Sequence, residues 1–113
     1  MEPVDQSGQP DLAAALDKLW TRFLPEIRAR VSILEAAAES AAANALTAEQ
    51  QQAAASAAHK LAGVLGTFNL SRGTAIAREL ELLYSAEAPP GPGPASRLAS
   101  ASAELRSLVE SRK

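Results

Sequence analysis

The sequence predicts an all-α protein, an antiparallel up-down-up-down four-helix bundle with a short extra helix at its N-terminus. Hydrophobic residues make up 47% of the chain, and many of them are alanine, the strongest helix former, whereas aromatic residues make up only 4%. Apolar residues recur at three- and four-residue steps in several segments, and no useful stretch alternates with a period of two. A length of 113 residues suits one domain with one modest core. Short connections favour antiparallel neighbours.

The first helical segment follows a proline- and glycine-containing stretch, residues 1–10, which is predicted to be a flexible tail. Asp11 is a candidate N-cap. Pro25 interrupts the apolar stripe that follows, so either a short helix ends near Phe23 and a long one begins, or a single helix kinks. The stripe consists of Leu16, Trp20, Phe23, Ile27, Val31, Leu34 and Ala38.

The later segments have recognisable ends, and together they place the bundle at residues 11–112. Thr47 and Gln50 fit a capping box, Asn69 suits a left-handed helix end, and Ser71 is a candidate cap for the next helix. The Pro/Gly run at 88–94 predicts a connector. The three apolar stripes are Ala54, Ala58, Leu61, Leu65 and Phe68; Ile76, Leu80, Leu83 and Tyr84; and Leu98, Ala101, Leu105 and Leu108.

The amino-acid composition argues against several classes of function. The formal net charge is −2 and the pI about 5.4, whereas nucleic-acid binding would call for a basic surplus. The sequence has no long apolar run and no signal-peptide pattern, so we expect no membrane association and a cytoplasmic location. Absence of cysteine rules out thiol catalysis, disulfides and Cys-based zinc sites. We expect this chain to carry no metal and no cofactor.

The single histidine, His59, lies on an unusually bare helix face. At about 100° per residue, with Leu61 directed at the core, His59 points about 160° away and should face water. Each glycine inside a helix costs about 0.8–1.0 kcal/mol relative to alanine, so two of them on this face favour close approach of a partner. An ordinary surface histidine in an alanine-rich chain is the alternative. The small residues are Ala55, Ser56, Gly63 and Gly66, with Ala62 at the margin.

Residues 59–70 (HKLAGVLGTFNL) and 75–81 (AIARELE) resemble the histidine-containing phosphotransfer family. The shared pattern is a histidine, a leucine two residues later, a glycine four residues later, and a following helix with A-x-x-L-E. The resemblance covers roughly 11–112 and is most specific over 57–81. It implies that His59 accepts a phosphoryl group from an aspartyl phosphate and passes it to an aspartate of a receiver domain. It also implies that Gly63 leaves room for that group and for the docking receiver.

Two positions depart from the family pattern. The family often has lysine three residues after the histidine, where this chain has Ala62, and a terminal glycine near the place of Asn69. Lys60 is the nearest substitute cation, although it lies about 100° around the helix from His59. The rate of transfer or the lifetime of the phosphate is therefore expected to differ from family members that keep the lysine.

The sequence as a whole predicts a phosphocarrier of a two-component phosphorelay, monomeric, without kinase activity of its own because no Gly-rich ATP loop is present. The partners that the resemblance implies are a response-regulator receiver domain, which would hold the Mg²⁺, and a hybrid histidine kinase. A phosphate-free helical adaptor is the alternative, and a metal or hydrolytic enzyme or a coiled-coil dimer is disfavoured. Arg72 and Arg78 are expected to serve solubility or surface ion pairs. The predicted phosphosite surroundings are Lys60, Ala62, Gly63 and Gly66, and the predicted docking residues are Ala55, Ser56 and Thr67.

Overall fold

Four α-helices and no strand make up the part of the chain that the structure, a computed structural model, describes: the backbone of residues 4–87 and 92–112, with side chains from 12–87 and 93–112. The helices are α1 (Val4–Ala42), α2 (Ala48–Thr67), α3 (Ser71–Tyr84) and α4 (Pro92–Ser111). Each helix packs against two others, since α1 and α3 both contact α2 and α4. The predicted all-α four-helix fold is confirmed.

Ion pairs show that α4 runs antiparallel to both of its neighbours, α1 and α3. As residue numbers rise along one helix, the numbers of their partners fall along the next. The pairs are Asp17–Arg112, Arg28–Glu110 and Glu35–Arg106 between α1 and α4, and Arg72–Glu104 and Glu79–Arg97 between α3 and α4.

The buried residues follow the predicted apolar stripes closely. In α2 every predicted core residue is buried, and in α1 the buried stripe runs from Trp20 to Ala41. Leu16 of the predicted stripe is only partly buried, and Phe23 lies at the edge of the core with 37% of its surface exposed and meets Phe68 edge-on at 6.5 Å. Trp20 packs against the same ring at 5.1 Å, and the Arg112 guanidinium lies over Trp20 at 4.9 Å.

Two of the three predicted helix ends after α1 are confirmed. Thr47 and Gln50 form the capping box. The backbone N–H of Gln50 donates to Thr47 Oγ1 at 3.1 Å, and the backbone N–H of Thr47 donates to Gln50 Oε1 at 2.9 Å. Asn69 has a left-handed φ of 61°. The prediction that Ser71 caps α3 is wrong. Ser71 is the first helical residue of α3, and Leu70 occupies the cap position without a side-chain hydrogen bond.

The start of α1 differs from the prediction. The helix begins at Val4 and continues through Pro10 and Pro25, so Asp11 is not its cap, and no separate short helix precedes it in the described residues. Residues 4–10 of the predicted tail have helical backbone, and residues 1–3 lie outside the described part. Proline removes one helical hydrogen bond but keeps a helical φ. Core packing by Trp20 and Ile27 on either side of Pro25 favours one continuous helix.

The predicted connector at 88–94 is shorter than expected at its C-terminal end. Residues 88–91 lie outside the described part, and α4 already begins at Pro92, so 92–94 form its first turn. Proline is tolerated there because the first amides of a helix have no partner within the helix.

Two contacts fix α3 against α2. The buried Gln51 side chain donates to the carbonyl oxygens of Tyr84 at 2.9 Å and Ala86 at 2.6 Å, which ties down the C-terminal end of α3. Near the other end, a Cβ added at Gly73 would lie 3.0 Å from Leu65 Cδ1, so the glycine permits close approach of the helices. Within the described residues, no helix has the length and apolar character needed to cross a membrane.

Candidate functional site around His59

His59 lies in the middle of α2 and faces away from the core. Its side chain is 74% exposed, whereas Leu61, two residues later, is completely buried. The helical phase deduced from the sequence is therefore right for this residue. Because the imidazole is attached to a regular helix packed into the bundle, its position is well defined although its ring is open to solvent.

A carboxylate from α3 fixes one ring nitrogen of His59. The Nδ1 atom lies 2.9 Å from Oε2 of Glu81. An ionised carboxylate only accepts hydrogen bonds, so Nδ1 is the nitrogen that carries the hydrogen in the neutral ring. The lone pair available for attack on an electrophile is then on Nε2.

His59 and Glu81 share a shallow cavity between α2 and α3. Its volume is about 220 Å³, and it is lined by His59, Ala62, Gly63, Arg78 and Glu81. The cavity thus brings together one nucleophile, one anion and one cation. Its floor on the α2 side is built from side chains no larger than a methyl group.

Gly63 has open space where a side chain would be. A Cβ placed there meets no atom within 4 Å, and one at Gly66 meets only Thr74 Oγ1 at an ordinary 3.7 Å. Gly73 differs, because there the packing against Leu65 is already tight. Packing within the described residues therefore requires no glycine at position 63, and the glycine leaves open space in the cavity that contains the imidazole.

The other residues predicted around the site differ in how exposed they are. Ala62 is only 7% exposed and belongs to the contact between α2 and α3, and Ala55 is half-buried. Lys60 is outside the set of residues lining the cavity, in keeping with its angular offset from His59. The exposed residues of α2 near the site are Ser56, Lys60, Gly63, Gly66 and Thr67.

Two residues that line the cavity, Glu81 and Arg78, were not predicted from the sequence to belong to the site. Glu81 is part of the A-x-x-L-E pattern, but nothing in the pattern showed that it would reach His59. Arg78 was expected to serve solubility or an ion pair; it lines the cavity, and it forms no ion pair within the described residues. Arg72 does form the expected kind of pair, with Glu104 at 2.7 Å. The available signal was spacing, because Arg78 and Glu81 are three residues apart and share one face of α3.

The side chains around His59 have the chemistry that group transfer needs. Among the described residues, no group of three or more histidine, aspartate or glutamate side chains could hold a metal ion. What the site offers is an exposed nitrogen nucleophile, oriented by a carboxylate and flanked by a guanidinium.

A helical bundle that displays one such imidazole defines a phosphotransfer class of protein. The family model described as "Hpt domain" matches residues 18–112, and the chain therefore belongs to the Hpt domain family, the histidine-containing phosphotransfer domains. The chain is also similar to Protein RcaC of Microchaete diplosiphon, with 38% identity over 78 residues, which are 69% of this chain and 12% of that protein. No solved structure matches the chain.

Domains of this family have a characteristic role. Hpt domains take part in phosphotransfer within two-component phosphorelays, and they are phosphocarriers rather than enzymes. Their partners in such relays are response regulators and kinases.

Proposed function

We propose that this chain accepts a phosphoryl group on His59 from the aspartyl phosphate of one receiver domain and passes it to the aspartate of another. The supporting observation is the hydrogen bond between His59 Nδ1 and Glu81, on an imidazole that is otherwise open to solvent. Positioning and charge stabilisation account for most of the catalysis of phosphoryl transfer, so an accessible, oriented nucleophile is what a carrier needs.

The transfer begins with the lone pair of Nε2 on the neutral ring. This lone pair forms the N–P bond while the P–O bond of the acyl phosphate breaks, and its electron pair returns to the receiver's aspartate as a carboxylate. The ring becomes a positively charged N-phosphoimidazole that still donates its Nδ1 hydrogen to Glu81. The carboxylate of Glu81 stabilises that positive charge. The reverse of these steps delivers the group to the second receiver.

In this proposal the receiver supplies the Mg²⁺ and its acidic pocket, and a hybrid histidine kinase supplies the phosphate upstream. The chain itself has no kinase activity and acts in the cytoplasm as a monomer. The receiver docks over the exposed small-residue surface of α2, with Ser56, Gly66 and Thr67 around His59 and Ala55 at its edge. Gly63 lets the receiver's catalytic pocket approach the imidazole.

The test is phosphate uptake from a phosphorylated receiver domain in the presence of Mg²⁺. We expect the mass of the wild-type chain to rise by one phosphate, which peptide mass spectrometry places on His59 and which is lost in acid. His59→Gln, with an unchanged helical circular dichroism spectrum, should take up none. Addition of a second, unphosphorylated receiver should then discharge the wild-type chain.

The same experiment decides between a carrier and a phosphate-free adaptor. An adaptor would bind receivers and yet gain no label from several phosphorylated receiver domains. Label that persists in His59→Gln would place the phosphate on another residue and contradict the assignment of His59.

A further inference from the structure

We propose that Arg78 of α3 is the cation that binds the phosphoryl group on His59, in the role that a lysine on the histidine's own helix would otherwise have. This inference rests on the proposed function of His59. It is carried by the placement of Arg78 in the cavity that contains the imidazole, and by the absence of any ion pair to that guanidinium within the described residues.

The acidic groups near Arg78 already have other partners. Glu79, the next residue, accepts from Arg97 Nε at 2.6 Å, and Glu81 accepts from His59 at 2.9 Å. Of the described arginines from α3 to Arg112, Arg78 is the one without a bound carboxylate. The others pair as Arg72–Glu104, Arg97–Glu79, Arg106–Glu35 and Arg112–Asp17.

Phosphorylation creates a need for positive charge at this place. A phosphoryl group on Nε2 brings about two negative charges close to the carboxylate of Glu81. Ala62 is neutral, and Lys60 does not line the cavity, so α2 supplies no cation there. A guanidinium suits the purpose because its planar fork donates two parallel hydrogen bonds to phosphate oxygens.

The open space at Gly63 allows Arg78 to take this role. Gly63 and Ala62 form the α2 wall of the cavity, and a Cβ at position 63 would meet nothing within 4 Å. Arg78 lines the same cavity from α3, so the space left by the missing Cβ adjoins the volume that its long side chain can enter. A larger residue at position 63 would fill part of the cavity that Arg78 and the phosphoryl group are proposed to share.

The test compares wild type, Arg78→Met and Arg78→Lys in two reactions. One uses a phosphorylated receiver with Mg²⁺ as donor. The other uses phosphoramidate, whose P–N bond breaks as the Nε2–P bond forms and ammonia leaves with the electron pair. We expect hydrolysis of the phosphohistidine to be about fivefold faster or more in Arg78→Met, the upper range of an exposed ion pair, with partial recovery in Arg78→Lys. The chemical shift of the Arg78 Nε–H should move on phosphorylation of the wild type.

Arg72→Met is the matched control, since it removes an arginine from the same helix that pairs with Glu104 and lies outside the cavity. It should retain the wild-type lifetime. Equal lifetimes in Arg78→Met and wild type, with an unmoved Arg78 signal, would overturn the inference while leaving the proposed function intact. If phosphoramidate labels His59 and receivers do not, the receiver-to-receiver proposal fails and the Arg78 comparison still stands. If neither donor labels His59, both are wrong.

Discussion

At the scale of single residues, Gly63 of α2 and Gly73 of α3 differ in what surrounds the place where a side chain would be. Gly73 makes room for Leu65 within the fold, whereas a Cβ at Gly63 would meet no atom within 4 Å. A helix gives up about 1 kcal/mol for glycine in place of alanine. At position 73 tight helix packing offsets that loss. At position 63 no packing contact offsets the loss, and the proposed access of a receiver to His59 would account for it.

Gly63→Ala should therefore separate stability from function. We expect it to raise the free energy of unfolding by about 1 kcal/mol, because alanine is the better helix former and its Cβ has open space. Transfer from a phosphorylated receiver should become slower. Urea unfolding and the rate of phosphate uptake measure the two effects.

Gly73→Ala is the control for that comparison. Its Cβ would press on Leu65, so it should lack the gain in stability seen at position 63. A Gly63→Ala variant that is more stable and also transfers at the wild-type rate would show that access to His59 does not explain the glycine.

Tyr84 gives a prediction for alkaline pH. Its side chain is 1% exposed, its hydroxyl has no hydrogen-bond partner among the described residues, and burial raises its pKa from 10.0 to about 12. The unfolded chain then releases the proton first, so stability is full below pH 10 and falls between pH 10 and 12, by about 1.4 kcal/mol per pH unit. In Tyr84→Phe this contribution to the fall should be absent.

Unfolding of both proteins by urea at pH 8 and pH 11 measures the difference. At pH 8 the phenylalanine variant should be as stable as wild type or slightly more stable, because it removes a buried hydroxyl without a partner. Titration of lysines affects both proteins equally. Parallel pH profiles would mean that the hydroxyl is hydrated in the folded state.

The residues of the site were predictable to different degrees. Exposure of His59 follows from the phase of one helix, and that phase can be read from the leucines of α2. The contacts of Glu81 and Arg78 depend on how α3 is rotated and shifted against α2. That rotation is fixed by contacts such as those of Gly73 and Gln51, and the sequence of either helix alone does not contain it.

At the scale of helices, the sequence signals that were strongest were local ones. The Thr47–Gln50 capping box and the left-handed Asn69 are confirmed because each is formed by a few consecutive residues. The prolines were less informative, since Pro25 lies within α1 and Pro92 begins α4. Whether a proline ends a helix depends on the packing around it. Here the buried residues on both sides of Pro25 continue one stripe.

Gln51→Leu should loosen the end of α3. The side-chain amide satisfies two carbonyl oxygens at the C-terminal end of that helix, and leucine would leave them without this donor. We expect a loss of about 1–3 kcal/mol in the free energy of unfolding, measured in urea. Gln52→Leu, at an exposed position next to it, should change stability by less than about 0.5 kcal/mol. Equal effects at both positions would contradict a special role for Gln51.

At the scale of the whole molecule, exposed ion pairs connect α4 to both of its neighbours. Each of three carboxyl groups accepts hydrogen bonds from an arginine, which hold its pKa below the ordinary value of 4.5. The pairs are Glu79 with Arg97, Glu104 with Arg72, and Glu110 with Arg28. A lowered carboxyl pKa contributes stability that is present above the unfolded value and is lost as the pH falls through the folded one.

The melting temperature should therefore fall as the pH is lowered below about 4.5. In Arg97→Met the fall should be shallower, since Glu79 then loses the partner that lowers its pKa. Salt at 0.5 M should also flatten the profile, because these groups are exposed and screened. Thermal melts between pH 7 and pH 3 provide the measurement. Identical acid profiles for wild type and Arg97→Met would show that this pair contributes nothing to the pH dependence.

The pairing of α2 with α3 also has a consequence for how the chain could be re-engineered. Nucleophile, orienting acid and guanidinium all belong to one helical hairpin, residues 48–84, joined by a turn of three residues. The outer helices α1 and α4 contribute packing to this hairpin and no side chain to the cavity. A chimaera that keeps 48–84 and borrows its first and last helices from another bundle with matching apolar faces would retain the reactive group. The hairpin could in this way be transferred to another bundle together with its cavity, whereas the first and last helices could be replaced.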